Sequence, residues 1–219
     1  MAVIDGGKFR ISTMPVTIVA HLLGLLVLIL TLIWLLHFEG GVSMTKSTKL
    51  LFNLHPLLMV IGFVLVGGEA IMAYKTVPAP RKVQKIVHMA MLLVASLMGA
   101  FGVFVIFKYK RESKYSDMES IHSWIGMATV CLFGLQWLLG FVSFWFPGAP
   151  MTTRARLMPW HVFFGIIIFV MAIISTETGI MEEFCFGELS RERKAYLINF
   201  TGVAVLLFGV TVGLTAILP

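Results

Sequence analysis

Residues 50–74 read LLFNLHPLLMVIGFVLVGGEAIMAY. An α-helix rises 1.5 Å per residue and a bilayer core is about 30 Å thick, so a span needs about 20 apolar residues. This run is long enough, and its strongly polar members are only Asn53, His55 and Glu69. Five more runs of the same kind lie at roughly 15–37, 85–107, 120–146, 158–180 and 196–218. They leave short connections, punctuated by Pro78 and Pro80 and by Pro147 and Pro150, so neighbouring helices are expected to be antiparallel. The expectation is an all-α membrane protein with six transmembrane helices.

The composition agrees. Of 219 residues, 58% are hydrophobic and 13% charged, about half the charged share of a soluble domain. Mean hydropathy is +0.94. These values exclude a disordered chain, a soluble enzyme and a nucleic-acid-binding domain. The net charge of +6 sits in short loops beside apolar runs, which points to lipid headgroups and topology, not nucleic acid. Cys131 lies mid-span and Cys185 in a loop, which implies neither a disulfide framework nor a zinc site. The first run is long enough to span and no small-residue cleavage site precedes it, so no cleavable signal peptide is expected.

Six spans put both termini on one side, here face A. It carries Lys8, Arg10, Lys75, Arg81, Lys82, Lys85, Arg154 and Arg156. Face B carries Lys46, Lys49, Lys108, Lys110, Arg111, Lys114, Arg191, Arg193 and Lys194, so basic residues do not decide the orientation. Acidic residues differ more. Glu39, Glu112, Asp117, Glu119, Glu182, Glu183, Glu188 and Glu192 are on face B, and only Asp5 is on face A outside the spans. Face A is therefore a bare positive surface and face B a mixed one.

His55, His88, His122 and His161 each fall within about five residues of the start of their own runs, two to five. Ionisable residues inside spans are costly and usually functional. Runs two and four start on face B, so His55 and His122 share a level. Runs three and five start on face A, so His88 and His161 share the other. Zinc or copper would need further ligands at these depths. A haem needs only two axial imidazoles, and bis-His ligation leaves no open iron site, which favours electron transfer. Gly62, Gly67, Gly68, Gly99, Gly102, Gly126, Gly134, Gly140 and Gly165 could admit a flat macrocycle or serve helix packing.

The motifs Phe52-Asn53-Leu54-His55-Pro56, Ala70-Ile71-Met72-Ala73-Tyr74-Lys75, Ser120-Ile121-His122-Ser123-Trp124 and Leu157-Met158-Pro159-Trp160-His161 resemble those of the cytochrome b561 family. These are ascorbate-dependent transmembrane oxidoreductases, and the likeness is greatest to plant members. The resemblance covers about residue 15 to the end. It implies a single domain over 1–219, with spans two to five forming a four-helix bundle at about 50–180 around two haem b groups held by His55 with His122 and His88 with His161. It implies cytosolic termini, which makes face A cytosolic, in the plasma membrane or an endomembrane such as the vacuolar membrane, and a homodimer. Electrons would pass from cytosolic ascorbate to monodehydroascorbate or ferric chelates on the opposite side. The residues matching the family's ascorbate site are Tyr74, Lys75, Arg81, Lys85 and Arg154. Ascorbate is an anion, and a basic rim would concentrate it.

The far site departs from the family. Glu119 stands where a Tyr usually precedes Ser-x-His-Ser-Trp, and the loop from Lys108 to Met118 has no histidine. Lys108, Lys110 and Tyr115 could hold an anionic acceptor, with Ser120 and Trp124 beside them, or Glu119 could accept a ferric ion. Glu69 reads either as a proton-uptake group or as a carboxylate paired with a base, and Glu177 mirrors it at the other face. Asn53, Ser120 and Ser123 are candidates to orient the face-B imidazoles, as are helix carbonyls. Trp124 and Trp160 adjoin ligands or anchor at the interface. Asn199-Phe200-Thr201 is a glycosylation sequon at the mouth of run six. Two other readings remain. A His-lined metal or proton transporter would need a polar stripe between the levels, where Leu57–Val66 and Leu92–Val105 are apolar. A haem-bearing anchor subunit of a larger redox complex would not need the basic rim.

Overall fold

A computed structural model describes residues 13–186 and 193–218. Of the charges assigned to the two faces, Asp5, Lys8, Arg10, Glu188, Arg191 and Glu192 lie outside the described residues. Among the described residues, six helices are long and apolar enough to cross a membrane: α1 Met14–Phe38, α2 Thr48–Thr76, α3 Arg81–Ser113, α4 Ile121–Phe144, α5 Met151–Cys185 and α6 Arg193–Ile217. No strand occurs among the described residues. The chain is an all-α, multi-pass integral membrane protein.

Several helices outrun their apolar segments. α3 spans Arg81–Ser113 where the apolar run is 85–107, and α5 starts at Met151 instead of 158. Continuing the helix keeps backbone groups bonded in the headgroup region, where long basic side chains keep their stems on apolar surface and their charges in water. One expectation fails for this reason. The four histidines are not equally deep from their helix starts: His55 and His88 lie seven residues in, His122 one, and His161 ten. α4 begins abruptly, because Ser120 caps it and exchanges bonds with Ser123. α5 begins early, with Arg154 and Arg156 on its extension.

Consecutive helices pack against each other, and α1 closes the circuit by packing on α6 and α2. α2 also touches α5 and α6. The core draws Val27 from α1, Phe63 and Val64 from α2, Phe133 from α4, Phe169 from α5 and Phe208 from α6. Lipid supplies no hydrophobic drive between helices, so close contact decides the packing. Phe208 lies where a side chain on Gly68 would stand, its Cζ 2.6 Å from that Cβ position. Two of the three histidine motifs carry proline: Pro56 follows His55 and opens a wide π-helical stretch at Leu57–Leu65, and Pro159 lies inside α5. Proline removes a backbone donor, and wide turns of this kind gather at functional sites.

Candidate functional site

The helices bring together the two pairs that parity predicts. The rings of His55 on α2 and His122 on α4 lie with centroids 6.1 Å apart and planes 85° apart. Those of His88 on α3 and His161 on α5 are 6.5 Å apart, at 72°. Three of the four are oriented by carbonyls of a neighbouring helix. His55 Nδ1 bonds Gly102 O at 3.0 Å, His88 Nδ1 bonds Ala70 O at 2.8 Å, and His122 Nδ1 bonds Ser175 O at 2.8 Å. A ring that donates from Nδ1 keeps the Nε2 lone pair for a metal. His161 differs: its Nδ1 faces the side chain of Gln136, with Nε2 of the amide 3.1 Å away.

Asn53, Ser120 and Ser123 do other work. Asn53 is buried and donates to the carbonyls of Glu39 and Gly41, which pins the connection from α1 to α2. Gly40 and Gly41 take positive φ there, of 79° and 99°, a conformation that glycine reaches without strain. The two serines cap α4.

A cavity of about 510 Å³ opens on the His88–His161 pair. Tyr74, Lys75, Arg81 and Lys85 rim it, and Phe133 and Trp137 are among its apolar walls. The volume lies in the range of small-molecule and cofactor sites. The Tyr74 ring is 5.3 Å from that of His88, and the Arg81 guanidinium lies 5.9 Å from the Tyr74 ring centre. Lys85 Nζ donates to Phe144 O at 3.3 Å, and Lys75 Nζ to Leu218 O at 3.1 Å. Arg154 is not part of the lining; its Nε donates to Ala149 O at 2.6 Å. Among the described residues, none of these four cations pairs with a carboxylate.

Three face-B cations, Lys49, Lys108 and Lys194, are paired with carboxylates. Lys108 meets Glu112 at 2.5 Å, and Lys110 donates to Ser116 O at 2.9 Å. Glu119 is exposed, Tyr115 packs on Tyr109, and Trp124 is 61% exposed on the outer surface. Glu39 is buried between Lys49, at 3.1 Å, and Lys194, which also reaches Glu183 at 3.4 Å; Trp34 Nε1 donates to Glu39 at 3.3 Å. Burial pushes the Glu39 carboxyl up, but the two ammonium groups outweigh it and hold the carboxyl below its ordinary range.

Inside the membrane, Glu69 on α2 pairs with His21 on α1, Oε2 to Nδ1 at 2.9 Å. Glu177 Oε1 is buried with no hydrogen-bond partner among the described residues. Asn199 lies within α6, and its sequon partner Thr201 is fully buried and bonded to Leu197 O. Two site features were not read from the sequence. Gln136 is the one carboxamide in the run 120–146, a visible signal. Gly179 lies against the His122 ring, and nothing in its neighbours marks it.

The sequence pattern of eukaryotic cytochrome b561 matches residues 54–187. The chain belongs to the cytochrome b561 family. It is 40% identical over 211 residues to the ascorbate-specific transmembrane electron transporter 1 of Zea mays, covering 94% of this chain and 89% of that one. It is 40% identical over 212 residues to the transmembrane ascorbate ferrireductase 1 of Arabidopsis thaliana, with the same coverage. A transmembrane ascorbate-dependent reductase of Mus musculus is 36% identical over 198 residues, 88% of this chain and 78% of that one.

Membership of the cytochrome b561 family implies haem b, and the residues present fit it. No group of three or more His, Cys, Asp or Glu that could hold a bare metal ion occurs among the described residues. Two imidazoles per level are enough only where a porphyrin supplies the other four nitrogens. The His88–His161 cavity is apolar, aromatic and rimmed by cations that suit propionates. Glycines clear the rings: a Cβ on Gly140 would stand 3.0 Å from His161 Cε1, and one on Gly179 2.8 Å from His122 Cε1.

Proposed function

We propose that this chain is a transmembrane oxidoreductase that takes electrons from ascorbate on face A and delivers them to monodehydroascorbate or a ferric chelate on face B. The observation that carries the reading is the stacking of two cross-helix histidine pairs at two levels, one of which opens on a cavity rimmed by unpaired cations. The relatives named for ascorbate-dependent electron transfer support it. His55 and His122 would hold one haem b, and His88 and His161 a second. When bound, each haem supplies a one-electron carrier with both axial positions filled by protein.

The chain's own residues do the rest. Gly102, Ala70 and Ser175 carbonyls fix three ligand rings. Tyr74, Lys75, Arg81 and Lys85 present donors to an anion at the cavity mouth, and Arg154 adds positive charge from the first turn of α5. On face B the acceptor would meet Lys108, Lys110, Tyr115, Glu119, Ser120 and Trp124. The reading makes the chain one domain, places both termini in the cytosol, and takes the membrane to be the plasma membrane or an endomembrane such as that of the vacuole. It also takes the protein as a homodimer.

The test is to purify the chain in detergent, count haem per polypeptide and record the visible spectrum before and after ascorbate. Two b-type haems, both reduced by ascorbate, support the reading. Absence of haem overturns it, and haem that ascorbate cannot reduce favours an anchor subunit.

A further inference from the structure

Among the four paired histidines, His161 alone has a side chain in place of a backbone carbonyl as its Nδ1 partner; His122 has the Ser175 carbonyl at 2.8 Å, with the Thr178 hydroxyl farther off at 3.5 Å. We infer that Gln136 is the positioning residue that sets the orientation and tautomer of His161, and through it the properties of the face-A redox centre alone. The inference rests on the reading of His161 as an axial ligand.

The geometry is reciprocal. Gln136 and Gly140 are one turn apart on α4, and His161 and Gly165 are one turn apart on α5. The His161 ring occupies the space left by Gly140, where a Cβ would stand 3.0 Å from Cε1. The Gln136 amide lies over Gly165, where a Cβ would stand 3.6 Å from Nε2. Each long side chain thus fills the gap left by the other helix's glycine. The amide nitrogen donates to the His161 backbone carbonyl at 2.7 Å and stands 3.1 Å from Nδ1. Gln136 and His161 both line the cavity.

The amide can face Nδ1 with either end. With its nitrogen leading, it donates to the His161 carbonyl and favours a ring nitrogen that accepts. With its oxygen leading, it accepts Nδ1–H and leaves the ring's Nε2 lone pair free for iron. A half-turn of one amide therefore selects between a ring that ligates and one that does not. The other three rings have no such freedom, because each meets a helix carbonyl, which can only accept, and the Thr178 hydroxyl near His122 already donates to the Ile174 and Ser175 carbonyls. No substitution removes a backbone carbonyl, so this one ligand is separately adjustable.

The test uses the full-length, haem-loaded chain in detergent, comparing wild type with Gln136→Leu, Gln136→Glu and His161→Ala. His161→Ala identifies the face-A signals in the spectrum and the potentiometric titration. Gln136→Leu is expected to speed haem loss from the face-A centre to a haem-scavenging apoprotein by tenfold to a hundredfold, the usual cost of losing a ligand's orienting partner. It should also shift that centre's midpoint potential. A tenfold weakening confined to one oxidation state corresponds to about 59 mV for one electron. The His55–His122 centre serves as internal control and keeps its spectrum and potential. Gln136→Glu, which retains an acceptor oxygen, should restore haem retention. If Gln136→Leu leaves the face-A centre unchanged, or shifts both centres alike, the inference is overturned. If His161→Ala loses no haem, the ligand reading itself fails and the inference falls with it.

Discussion

The two ends of the molecule hold equivalent histidine pairs in unlike electrostatic surroundings. At face A, Lys75, Arg81, Lys85 and Arg154 bond only to neutral carbonyl, amide or aromatic groups. At face B, Lys49, Lys108 and Lys194 are paired with Glu39, Glu112 and Glu183. A cation on a carbonyl keeps its long-range field, whereas a cation on a carboxylate is neutralised at a distance. Face B also has Lys46, Lys110, Arg111, Lys114 and Arg193, but they are interleaved with Glu112, Asp117, Glu119, Glu182 and Glu183, so its positive field is weaker than that of face A. On the proposed function this difference, more than the histidines, would set which end receives ascorbate.

The largest effects test the histidines. His88→Ala or His161→Ala should halve the haem content of a two-haem chain and abolish reduction by ascorbate. His55→Ala or His122→Ala should also halve it, but leave fast partial reduction by ascorbate while stopping transfer to an acceptor trapped inside vesicles. Haem counts and stopped-flow spectra check both. Full transfer with either pair missing would break the comparison, because the two levels would not act in series.

The cations come next. Lys85→Ala should cut kcat/KM for ascorbate by tenfold to a hundredfold, since a hydrogen bond to a charged group contributes about 1.5–3 kcal/mol. Reduction by dithionite should be preserved. Lys108 is already engaged by Glu112, so Lys108→Ala should lower kcat/KM for a face-B acceptor by less than Lys85→Ala lowers that for ascorbate. Ascorbate use should weaken as ionic strength rises from low values toward about 0.15 M, where the screening length is about 8 Å. Arg154→Ala sharpens the comparison further. Loss confined to ascorbate places its guanidinium at the substrate, and equal loss with dithionite assigns it to bracing the Ala149 carbonyl.

Smaller effects separate the two ring pockets. Gly179→Ala sets a Cβ 2.8 Å from His122 Cε1, and Gly140→Ala sets one 3.0 Å from His161 Cε1. Overpacking of this kind costs about 1–3 kcal/mol. Each substitution should perturb the optical spectrum of its own centre only, with the shift larger for Gly179→Ala.

Much of this was legible in the chain. Six apolar runs of spanning length define the helices, and parity alone places His55 with His122 and His88 with His161. The depth argument was weaker, because helices end where caps and headgroup chemistry allow and not where hydropathy falls. Ser120 stops α4 one residue before Ile121, whereas Met151 starts α5 well before the apolar run. The Nδ1 partners were not legible. Gly102, Ala70 and Ser175 act through backbone carbonyls, which leave no mark in side-chain identity. Glu39 also escaped notice as more than a face-B charge, since its partners Lys49 and Lys194 are far apart in sequence.

That buried cluster yields the mildest prediction, and it concerns stability. Glu39 is 7% exposed and its carboxyl is held below the ordinary value of 4.5 by Lys194 and Lys49 against the opposing effect of burial. A depressed folded-state value means that the unfolded chain binds the proton first. The contribution is therefore complete above about 4.5 and is lost as pH falls through the lower folded value. Lowering pH from 6 to 3 should loosen the junction of α1, α2 and α6 that this residue ties together, read as a drop in the thermal midpoint. Glu39→Gln should lower stability at pH 6 by about 1–3 kcal/mol, the cost of weakening a buried bond to a charged group. Lys194 keeps Glu183, so the loss stays modest. In the variant, the part of the acid sensitivity between pH 6 and 3 that depends on Glu39 should disappear. Ascorbate reduction at the opposite face should be untouched, and a variant that slows it would show that the two ends are mechanically coupled.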